Sequence, residues 1–278
     1  MNDSIALVTG AGRGMGRACA ERLAPTADVL VLVDRDEDGL ADAAGALSEA
    51  APEVVAVTLD VTDADALDAL GAHLRDIGHI QAVAHAAGIS PTMADWRSIF
   101  RVDLVGSALL IETLAPLVVP GTAMVCFASM AAQLMAAAGD PAIDAAIDRP
   151  LDPGFLDRVH AAAGPTIEDS AVAYGWAKRG VQRLVRRTAL QWGPLGGRIC
   201  SVSPGMIDTP QGRQEAAQQP AMATLLEYSP IPREGLADEI AAVVAFLCSP
   251  DASFMTGCDV LVDGGVCAAV EGMAREDW

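Results

Sequence analysis

The chain has 278 residues, 52% of them hydrophobic, and carries a formal net charge of −19 at pH 7. A chain of this length can bury a large core, and we expect one domain over residues 1–278 because no polar linker divides it. The net negative charge argues against nucleic acid and anionic membrane surfaces as partners, because proteins bind both through basic surfaces. A small-molecule substrate fits this composition better.

The sequence shows no targeting signal and no metal-binding pattern. No basic segment leads into an apolar signal core, and no apolar run reaches the roughly 18 residues that span a bilayer, so we expect a cytoplasmic protein. The four histidines form no ligand cluster, which predicts no metal site. The six cysteines stand mostly among apolar neighbours, which favours buried thiols over bridges, with Cys258 and Cys267 as the first pair to consider.

The first predicted strand leads into a glycine-rich turn and then into a helix, the order of a dinucleotide-binding unit. Gly10 permits the tight turn, Gly14 lets backbone approach a pyrophosphate at the helix N-terminus, and Gly16 lets the helix pack closely on the strand. A second apolar run ends at Asp34, 18 residues after Gly16 (34 − 16), where an acid that binds an adenosine ribose is expected. An empty structural turn is the alternative.

Strand-like runs alternate with helical patterns along the rest of the chain. The predicted strands lie near residues 4–9, 28–34, 53–59, 80–86, 121–128, 196–202 and 257–262. This alternation predicts a single α/β domain built on a doubly wound parallel sheet with helices on both faces. A cofactor would then lie at the carboxyl ends of the strands, where Gly10, Asp34, Ser129 and Pro204 all fall.

A tyrosine and a lysine, Tyr174 and Lys178, stand four residues apart in a predicted helix. Side chains with this spacing share one face of a helix, where an ammonium lowers the pKa of the phenol. The tyrosine would then exchange a proton near neutral pH. By itself the pair is a weak signal, because most such pairs lie on an ordinary helix surface.

Taken in order, the motifs resemble the classical short-chain dehydrogenase/reductase family over essentially the whole chain. The resemblance rests on the glycine turn at 9–16, on Asp60-Val61, on His85-Ala86-Ala87-Gly88, on Ser129, on the Tyr174–Lys178 pair, and on segments 204–210 and 262–265. It implies a Rossmann fold. The nucleotide-binding residues that it implies are Gly10, Gly12, Arg13, Gly14, Met15, Gly16, Asp34, Arg35, Asp60, Val61, Ala87, Gly88, Tyr174, Lys178, Pro204, Gly205, Ile207 and Thr209.

The same resemblance implies an oxidoreductase that interconverts a secondary alcohol and a ketone. Tyr174 would be the acid and base, Lys178 would hold the tyrosinate and reach the nicotinamide ribose, and Ser129 would orient the reacting oxygen. A strand-end serine that only caps a turn is the alternative for Ser129.

Cofactor choice depends on Asp34. Its carboxylate can bond both ribose hydroxyls of NAD, and its charge repels the 2′-phosphate of NADP. Arg13 and Arg35 count against this, because a base at either place can hold a phosphate. We expect NAD, with NADP less favoured.

Two residues depart from the family pattern. Asp103 stands where the resemblance leads us to expect the catalytic Asn of the family. It either accepts a hydrogen bond from a relay water, without being able to donate one as an amide does, or only braces a helix backbone. The relay is thus an open point of the expected mechanism. His85 replaces an Asn in the cofactor-floor segment and is expected to be packed and hydrogen-bonded, with a catalytic role as the alternative.

The interval between Ser129 and Tyr174 is 45 positions (174 − 129), far longer than is usual in the family. We expect a helical insertion at 133–170, with one helix near 141–147 and a second that opens with Asp152 and closes at Gly164-Pro165. A helical insertion at this place resembles the bacterial 3α-hydroxysteroid dehydrogenase/carbonyl reductase branch.

A lid is predicted at 210–232, with Met222, Leu225, Leu226 and Tyr228 as apolar residues that close over the substrate. This favours an apolar cyclic or steroid-like alcohol or ketone, and a small non-steroid hydroxy compound is the alternative. Any helix that packs on this fold would show a similar apolar set. No cluster of arginines or lysines marks a handle for a phosphate-bearing substrate, although Arg213 and Arg233 could serve as one.

Two other functions compete with the dehydrogenase. A non-catalytic nucleotide sensor would keep the glycine turn without needing Ser129, Tyr174 and Lys178 together. A sugar epimerase or dehydratase would use the same Tyr–Lys pair, but with another glycine spacing and a longer C-terminal region. For assembly we expect a homodimer through the C-terminal strand and its helix, with a tetramer as the alternative, because the insertion covers the other two-fold surface of the family.

Overall fold

Short apolar runs form the strands, as is typical of sheets covered on both faces. The computed structural model describes residues 3–219 and 221–273; the other residues of the predicted domain lie outside it. The strands are β1 (Asp3–Thr9), β2 (Val29–Asp34), β3 (Glu53–Thr58), β4 (Gly78–His85), β5 (Ala123–Phe127), β6 (Arg198–Pro204), β7 (Ile207–Asp208), β8 (Gly235–Leu236) and β9 (Asp259–Val262). All seven predicted strands are present within two residues of their expected ends, and only the short β7 and β8 lack a predicted counterpart.

Within the described residues, seven strands form one parallel sheet in the order β3-β2-β1-β4-β5-β6-β9, and β7 pairs with β8 separately. The order reverses at β1, which pairs with β2 on one side and with β4 on the other. A crevice opens at the carboxyl ends of the strands where the order reverses, and ligands of doubly wound sheets bind there.

Helices connect the strands and cover the sheet. They are α1 (Gly14–Leu23), α2 (Glu37–Leu47), α3 (Ala64–Ile77), α4 (Trp96–Ile99), α5 (Gly106–Leu114), α6 (Met130–Ala138), α7 (Pro141–Ile147), α8 (Phe155–Ala163), α9 (Ser170–Trp192), α10 (Pro210–Gln218), α11 (Ala221–Tyr228), α12 (Ala237–Cys248) and α13 (Val266–Met273). Alternate residues of β1 enter two different cores, Ile5 and Leu7 on one face and Ala6 and Val8 on the other. The predicted doubly wound α/β fold is therefore confirmed.

The glycine turn after β1 has no room for side chains. Gly10 has a φ of +69°, and a Cβ on it would lie 2.8 Å from the backbone nitrogen of Ala87. A Cβ on Gly16 would lie 2.0 Å from the carbonyl oxygen of Gly10, which is far inside contact distance. Glycine at these two positions lets α1 begin directly beneath the end of β1.

The predicted insertion at 133–170 is present and mostly helical, because α6, α7 and α8 precede α9. The helix near 141–147 is confirmed as α7, whose N-cap Asp140 accepts hydrogen bonds from the backbone of Ala142 at 2.8 Å and Ile143 at 3.3 Å. The expected opening of the next helix by Asp152 is wrong. Its N-cap is Gly154, with a φ of +71° and no capping side chain.

Ion pairs fasten the insertion to α9. Arg179 binds Asp144 with two hydrogen bonds of 2.6 and 2.7 Å, and Arg183 binds Asp148 with two of 2.7 Å. Arg183 also reaches Asp144 at 3.2 Å, and Arg187 pairs with Asp148. The three arginines repeat every four residues, so they occupy one face of α9, and the insertion covers this face.

No helix within residues 3–219 and 221–273 is both long and apolar enough to cross a membrane. The same residues bring together no group of three side chains able to hold a metal ion. All six cysteines are free thiols, and the sulfur of Cys258 lies 3.5 Å from that of Cys200 on the neighbouring strand. Cys267, the first partner considered for Cys258, lies against the Met130 carbonyl instead.

Candidate active site

A cleft of about 340 Å³ lies at the carboxyl ends of the strands, where the strand order reverses. The glycine turn, the end of β2 and the segment after β4 form one side of it, and α9, α10 and α11 border the other. This volume is in the range of small-molecule sites.

Most of the predicted site residues line this cleft. They are Gly10, Arg13, Gly14, Met15, Gly16, Asp34, Arg35, Asp60, Val61, Ala87, Gly88, Ser129, Tyr174, Pro204, Gly205, Ile207 and Thr209. Three predicted residues do not line it. Gly12 sits beside Asp34, and Asp103 and Lys178 are buried behind the wall.

Asp34 is held at the rim of the cleft by backbone amides. Its Oδ2 accepts from the nitrogen of Gly12 at 2.9 Å, and its Oδ1 accepts from that of Asp36 at 3.0 Å. The guanidinium of Arg13 is drawn to Asp36, at 3.8 Å, and Arg35 is exposed. The rim therefore presents a fixed carboxylate, flanked by two cations that do not pair with it.

The floor below this rim comes from the segment after β3. The Asp60 carboxylate accepts from the backbone nitrogen of Thr62 at 2.9 Å and from its hydroxyl at 2.7 Å, which holds the turn in place. Val61 is buried against Gly106, where a Cβ would lie 2.9 Å from the valine Cγ2. The floor is thus rigid and apolar beneath the rim.

The end of β5 places Ser129 opposite Tyr174 of α9. The Ser129 hydroxyl accepts from the Ala131 nitrogen at 3.2 Å, so it does cap α6, as the simpler interpretation of this residue expected. Its side chain also acts on Tyr174, where it favours ionisation of the phenol. Ser129 thus caps α6 and lies beside Tyr174, and its role in orienting a substrate stays a prediction.

Tyr174 is less acidic than the Tyr–Lys spacing predicts. Burial raises the pKa of Tyr174, the charges of Asp103 and Glu215 raise it further, and Ser129 opposes them. The expectation of a lowered pKa is therefore wrong for this structure. The positive charge of Lys178 faces a buried carboxylate as well as the phenol, and so its effect on the phenol is offset.

Lys178 is buried between β5 and the π-helical segment Phe100–Val105. Its Nζ donates to the carbonyl of Phe127 at 3.1 Å and lies 3.8 Å from Asp103 Oδ1. The same nitrogen is 5.6 Å from the centre of the Tyr174 ring. The side chain of Lys178 thus lies between Tyr174, the predicted catalytic tyrosine, and Asp103.

Asp103 lies in that π-helical segment, a geometry that is common near functional sites. Its Oδ1 accepts from the Ile89 nitrogen at 2.9 Å, so it does brace a backbone segment. Its Oδ2 is buried and has no hydrogen-bond partner among the described residues. Burial raises the pKa of Asp103, and the charge of Lys178 opposes this.

His85 is packed and hydrogen-bonded, as expected. Its Nδ1 lies 2.7 Å from the Thr9 hydroxyl, and its Nε2 lies 2.9 Å from the Ser107 hydroxyl, which donates to the Asp103 carbonyl at 2.6 Å. Because Ser107 uses its proton there, His85 Nε2 carries a hydrogen and Nδ1 accepts from Thr9. Burial lowers the pKa of His85 to about 3, so the ring is neutral.

The lid region has a polar helix and an apolar helix. Gln211, Glu215 and Gln219 line the cleft from α10 and the residue after it, and Met222 and Leu225 line it from α11. The polar residues repeat every four positions, a spacing that would have identified them in the sequence.

Two of the apolar residues named for the lid do not line this cleft. Leu226 lines a separate small cavity, and Tyr228 is 58% exposed. Arg213 pairs with Asp208, and Arg233 binds Glu239 at 2.7 Å, so neither is a free handle for a phosphate.

The remaining wall of the substrate region was not predicted. It consists of apolar residues from loops and from the insertion, among them Pro91, Met93, Leu134, Ala171 and Met206. No local pattern marks these residues, because only the tertiary fold brings them together.

Comparison with known proteins agrees with this geometry. Residues 4–141 match the family profile described as short chain dehydrogenase, and residues 159–267 match the one described as enoyl-(acyl carrier protein) reductase. The chain is 31% identical to levodione reductase of Leifsonia aquatica, over 96% of this chain and 95% of that protein. It is 32% identical to cis-4-hydroxycyclohexanecarboxylate dehydrogenase of Sinomonas cyclohexanicum, over 96% and 97%.

The fold agrees as well. A crystal structure of levodione reductase superposes with a TM-score of 0.75 at 29% identity, covering 96% of this chain and 98% of that one. Family profiles, full-length relatives and fold thus point the same way as the glycine turn, Ser129 and the Tyr174–Lys178 pair. The chain belongs to the classical short-chain dehydrogenase/reductase family of oxidoreductases.

Proposed function

We propose that the protein is an NAD-dependent dehydrogenase that interconverts a secondary alcohol and a ketone on a ring. The observation that carries this is the placement of Ser129 and Tyr174 in one cleft, with Lys178 buried directly behind them. One relative, matched over 97% of its length, is named for a hydroxycyclohexanecarboxylate, which supports a cyclic substrate. A steroid-like ring system belongs to the same proposal.

The described residues fit a nicotinamide dinucleotide. The first turn of α1 has no capping side chain, so its backbone amides are available to a pyrophosphate. Gly14 has a φ of +57°, and a Cβ there would project toward Thr209, 3.5 Å away, into the space that a nucleotide would fill. Asp34 would hold the adenosine ribose at the rim. When bound, the cofactor supplies the acceptor or donor of the hydride.

The fixed charge of Asp34 supports NAD over NADP. A 2′-phosphate would be repelled by the carboxylate, whereas the neutral hydroxyls of a ribose would donate hydrogen bonds to it. Arg13 is drawn to Asp36 and is thereby less available to a phosphate.

The proton chemistry falls to Tyr174. Its raised pKa keeps the phenol neutral, so it is ready to donate a proton to the oxygen of a ketone. For alcohol oxidation, the phenol of Tyr174 must first lose its own proton, which a higher pH favours. Ser129 holds the reacting oxygen beside Tyr174, and Lys178 orients the site from behind through its bond to the Phe127 carbonyl.

Turnover measurements test this proposal. Ring alcohols and ketones, including a steroid and small cyclohexane derivatives, are supplied with NAD or NADP, and the absorbance of the reduced nicotinamide is followed. We expect turnover by the wild type with a ring alcohol and NAD. A protein that binds NAD but converts no alcohol or ketone in either direction would instead be a nucleotide sensor.

A further inference from the structure

The substrate region of the cleft holds a single charged side chain among the residues that the structure describes. The cleft is lined by Arg13, Asp34, Arg35 and Asp60 around the nucleotide site, and by Glu215 on α10 beside the apolar Met222 and Leu225 of α11. Charge in the substrate region therefore comes from one carboxylate.

This carboxylate is available to a ligand. Glu215 is half-buried, and within residues 3–219 and 221–273 no hydrogen bond or ion pair to its side chain is found. Burial raises the pKa of Glu215, and its charge in turn raises the pKa of Tyr174. The charge of Glu215 therefore acts on the phenol oxygen of Tyr174, which exchanges the proton in the proposed reaction.

The neighbours of Glu215 are polar but neutral. Gln211 and Gln219 line the cleft one helical turn before and after it, so the three side chains form a stripe on one face. Amides offer both donors and acceptors, whereas an ionised carboxylate only accepts. A half-buried charge without a partner is costly, and a donor on the ligand relieves that cost.

We propose that Glu215 selects the substrate by charge, accepting ring alcohols that carry a second hydroxyl, an amide or an ammonium group and rejecting ring carboxylates. This inference rests on the proposed function and narrows its substrate class. The proposal distinguishes this chain from the relative that is named for 4-hydroxycyclohexanecarboxylate. The carboxylate of that compound would be repelled by Glu215 in this chain. The group that Glu215 binds lies on the ring away from the reacting carbon.

The test compares three cyclohexanols that differ only in the group at the far carbon. They are 4-hydroxycyclohexanecarboxylate, its carboxamide, and 4-(aminomethyl)cyclohexanol, which carry charges of −1, 0 and +1 at pH 7. The kcat/KM of each is measured with NAD for the wild type and for Glu215→Gln. The matched control is Glu227→Gln, which removes the same charge from an exposed position on α11 outside the cleft.

For Glu215→Gln we expect kcat/KM to rise about tenfold for the carboxylate and to fall about tenfold for the ammonium compound, from charge interaction in a partly screened site. The value for the carboxamide should stay within about twofold, and Glu227→Gln should change none of the three. Equal changes for all three compounds, or no change for the carboxylate, would overturn the role of Glu215.

A binding measurement separates this inference from the proposed function. Calorimetry with NAD present gives the Kd of each compound for Tyr174→Phe, which cannot complete the reaction, and for Tyr174→Phe combined with Glu215→Gln. Absence of turnover by the wild type would count against the proposed function, whereas the order of the Kd values would still decide the role of Glu215. Weak or absent binding of all three compounds in both variants would overturn the inference.

Discussion

Lys178 Nζ lies 3.8 Å from Asp103 Oδ1, and both side chains are buried behind the wall of the cleft. The resemblance to the family implies a neutral Asn at position 103, whereas this chain places a buried carboxylate beside Lys178. The paired charges offset each other at Tyr174. Burial raises the pKa of Tyr174, and the negative charge of Asp103 raises it further.

Asp103→Asn should make Tyr174 more acidic. The change removes a negative charge that raises the pKa of the phenol, so the ionised form is populated at lower pH. Alcohol oxidation needs this form, and we therefore expect the rising part of its profile of kcat/KM against pH to move to lower pH. Parallel assays with Asp68→Asn, an exposed carboxylate on α3, should show no shift. An unchanged profile in Asp103→Asn would contradict the coupling.

Tyr174→Phe should separate chemistry from binding. The ring is kept, and only the hydroxyl that exchanges the proton is lost, so we expect turnover to fall by about 10²-fold or more. The affinity for NAD, measured by calorimetry, should stay nearly the same. A variant that keeps most of the wild-type turnover would show that another group carries the proton.

Asp34→Ala should weaken the preference for NAD. Its two carboxylate oxygens are already oriented by the Gly12 and Asp36 amides, so the ribose meets a preformed acceptor. We expect kcat/KM for NAD to fall and the gap between NAD and NADP to narrow. Asp38→Ala, which removes an exposed carboxylate from the start of α2, is the control. A wild type that uses NADP more efficiently than NAD would refute the prediction.

Arg183→Met should loosen the insertion. Arg183 binds both Asp144 and Asp148, and its loss removes three of the hydrogen bonds that join α7 to α9. We expect a loss of about 1–2 kcal/mol in the free energy of unfolding at pH 7, measured by urea denaturation, after allowance for partial exposure. Arg149→Met, which removes a more exposed ion pair with Asp152, should lower the free energy of unfolding by less.

The loss in the free energy of unfolding caused by Arg183→Met should depend on pH. The arginines lower the pKa of Asp144 and Asp148 in the folded protein. A carboxyl group whose pKa is lower in the folded than in the unfolded protein stabilises the fold. This stabilisation is fully present above the pKa of the unfolded protein, about 3.9, and is lost as the pH falls through the pKa of the folded protein. The difference between variant and wild type should therefore shrink below about pH 4. A difference that does not depend on pH would mean that packing, not charge, holds the insertion.

Light scattering should show a homodimer, with twice the mass of the 28.6 kDa chain. The insertion covers the arginine face of α9, whereas β9 and α12 leave Leu236, Phe246 and Leu261 exposed by 39–53%. Leu261→Asp should yield a monomer, because a charge on this surface opposes association. Leu195→Asp changes an exposed leucine elsewhere and should remain dimeric. A tetramer in the wild type would show that the insertion does not block the other surface.

The fold was largely predictable because its signals are local. An apolar run, a glycine turn and a Tyr–Lys spacing of four each specify geometry within a few residues, and they placed Gly10, Asp34 and Tyr174 at the end of the sheet. The acidity of Tyr174 was not predictable in this way. It depends on burial and on Asp103, which is distant in sequence, and neither is visible before the chain is folded.

Other errors have the same origin. The pairing of β6 with β9 brings Cys200 next to Cys258, so proximity in sequence to Cys267 did not identify its neighbour. The second insertion helix begins at a glycine with positive φ, where an acidic cap two residues earlier looked sufficient. Glu215 was missed because the sequence of the lid was read for apolar residues and for cations, and not for a carboxylate that lines the cleft.

The pairing of Arg179, Arg183 and Arg187 with the insertion has a consequence for how copies of the enzyme work together. The helix that carries Tyr174 and Lys178 is supported by the same chain, through Asp144 and Asp148. A neighbouring copy is therefore not needed to keep that helix in place. In a mixed assembly of wild-type and Tyr174→Phe chains, each active copy should work at its full rate, so that total activity follows the proportion of wild-type chains in a straight line.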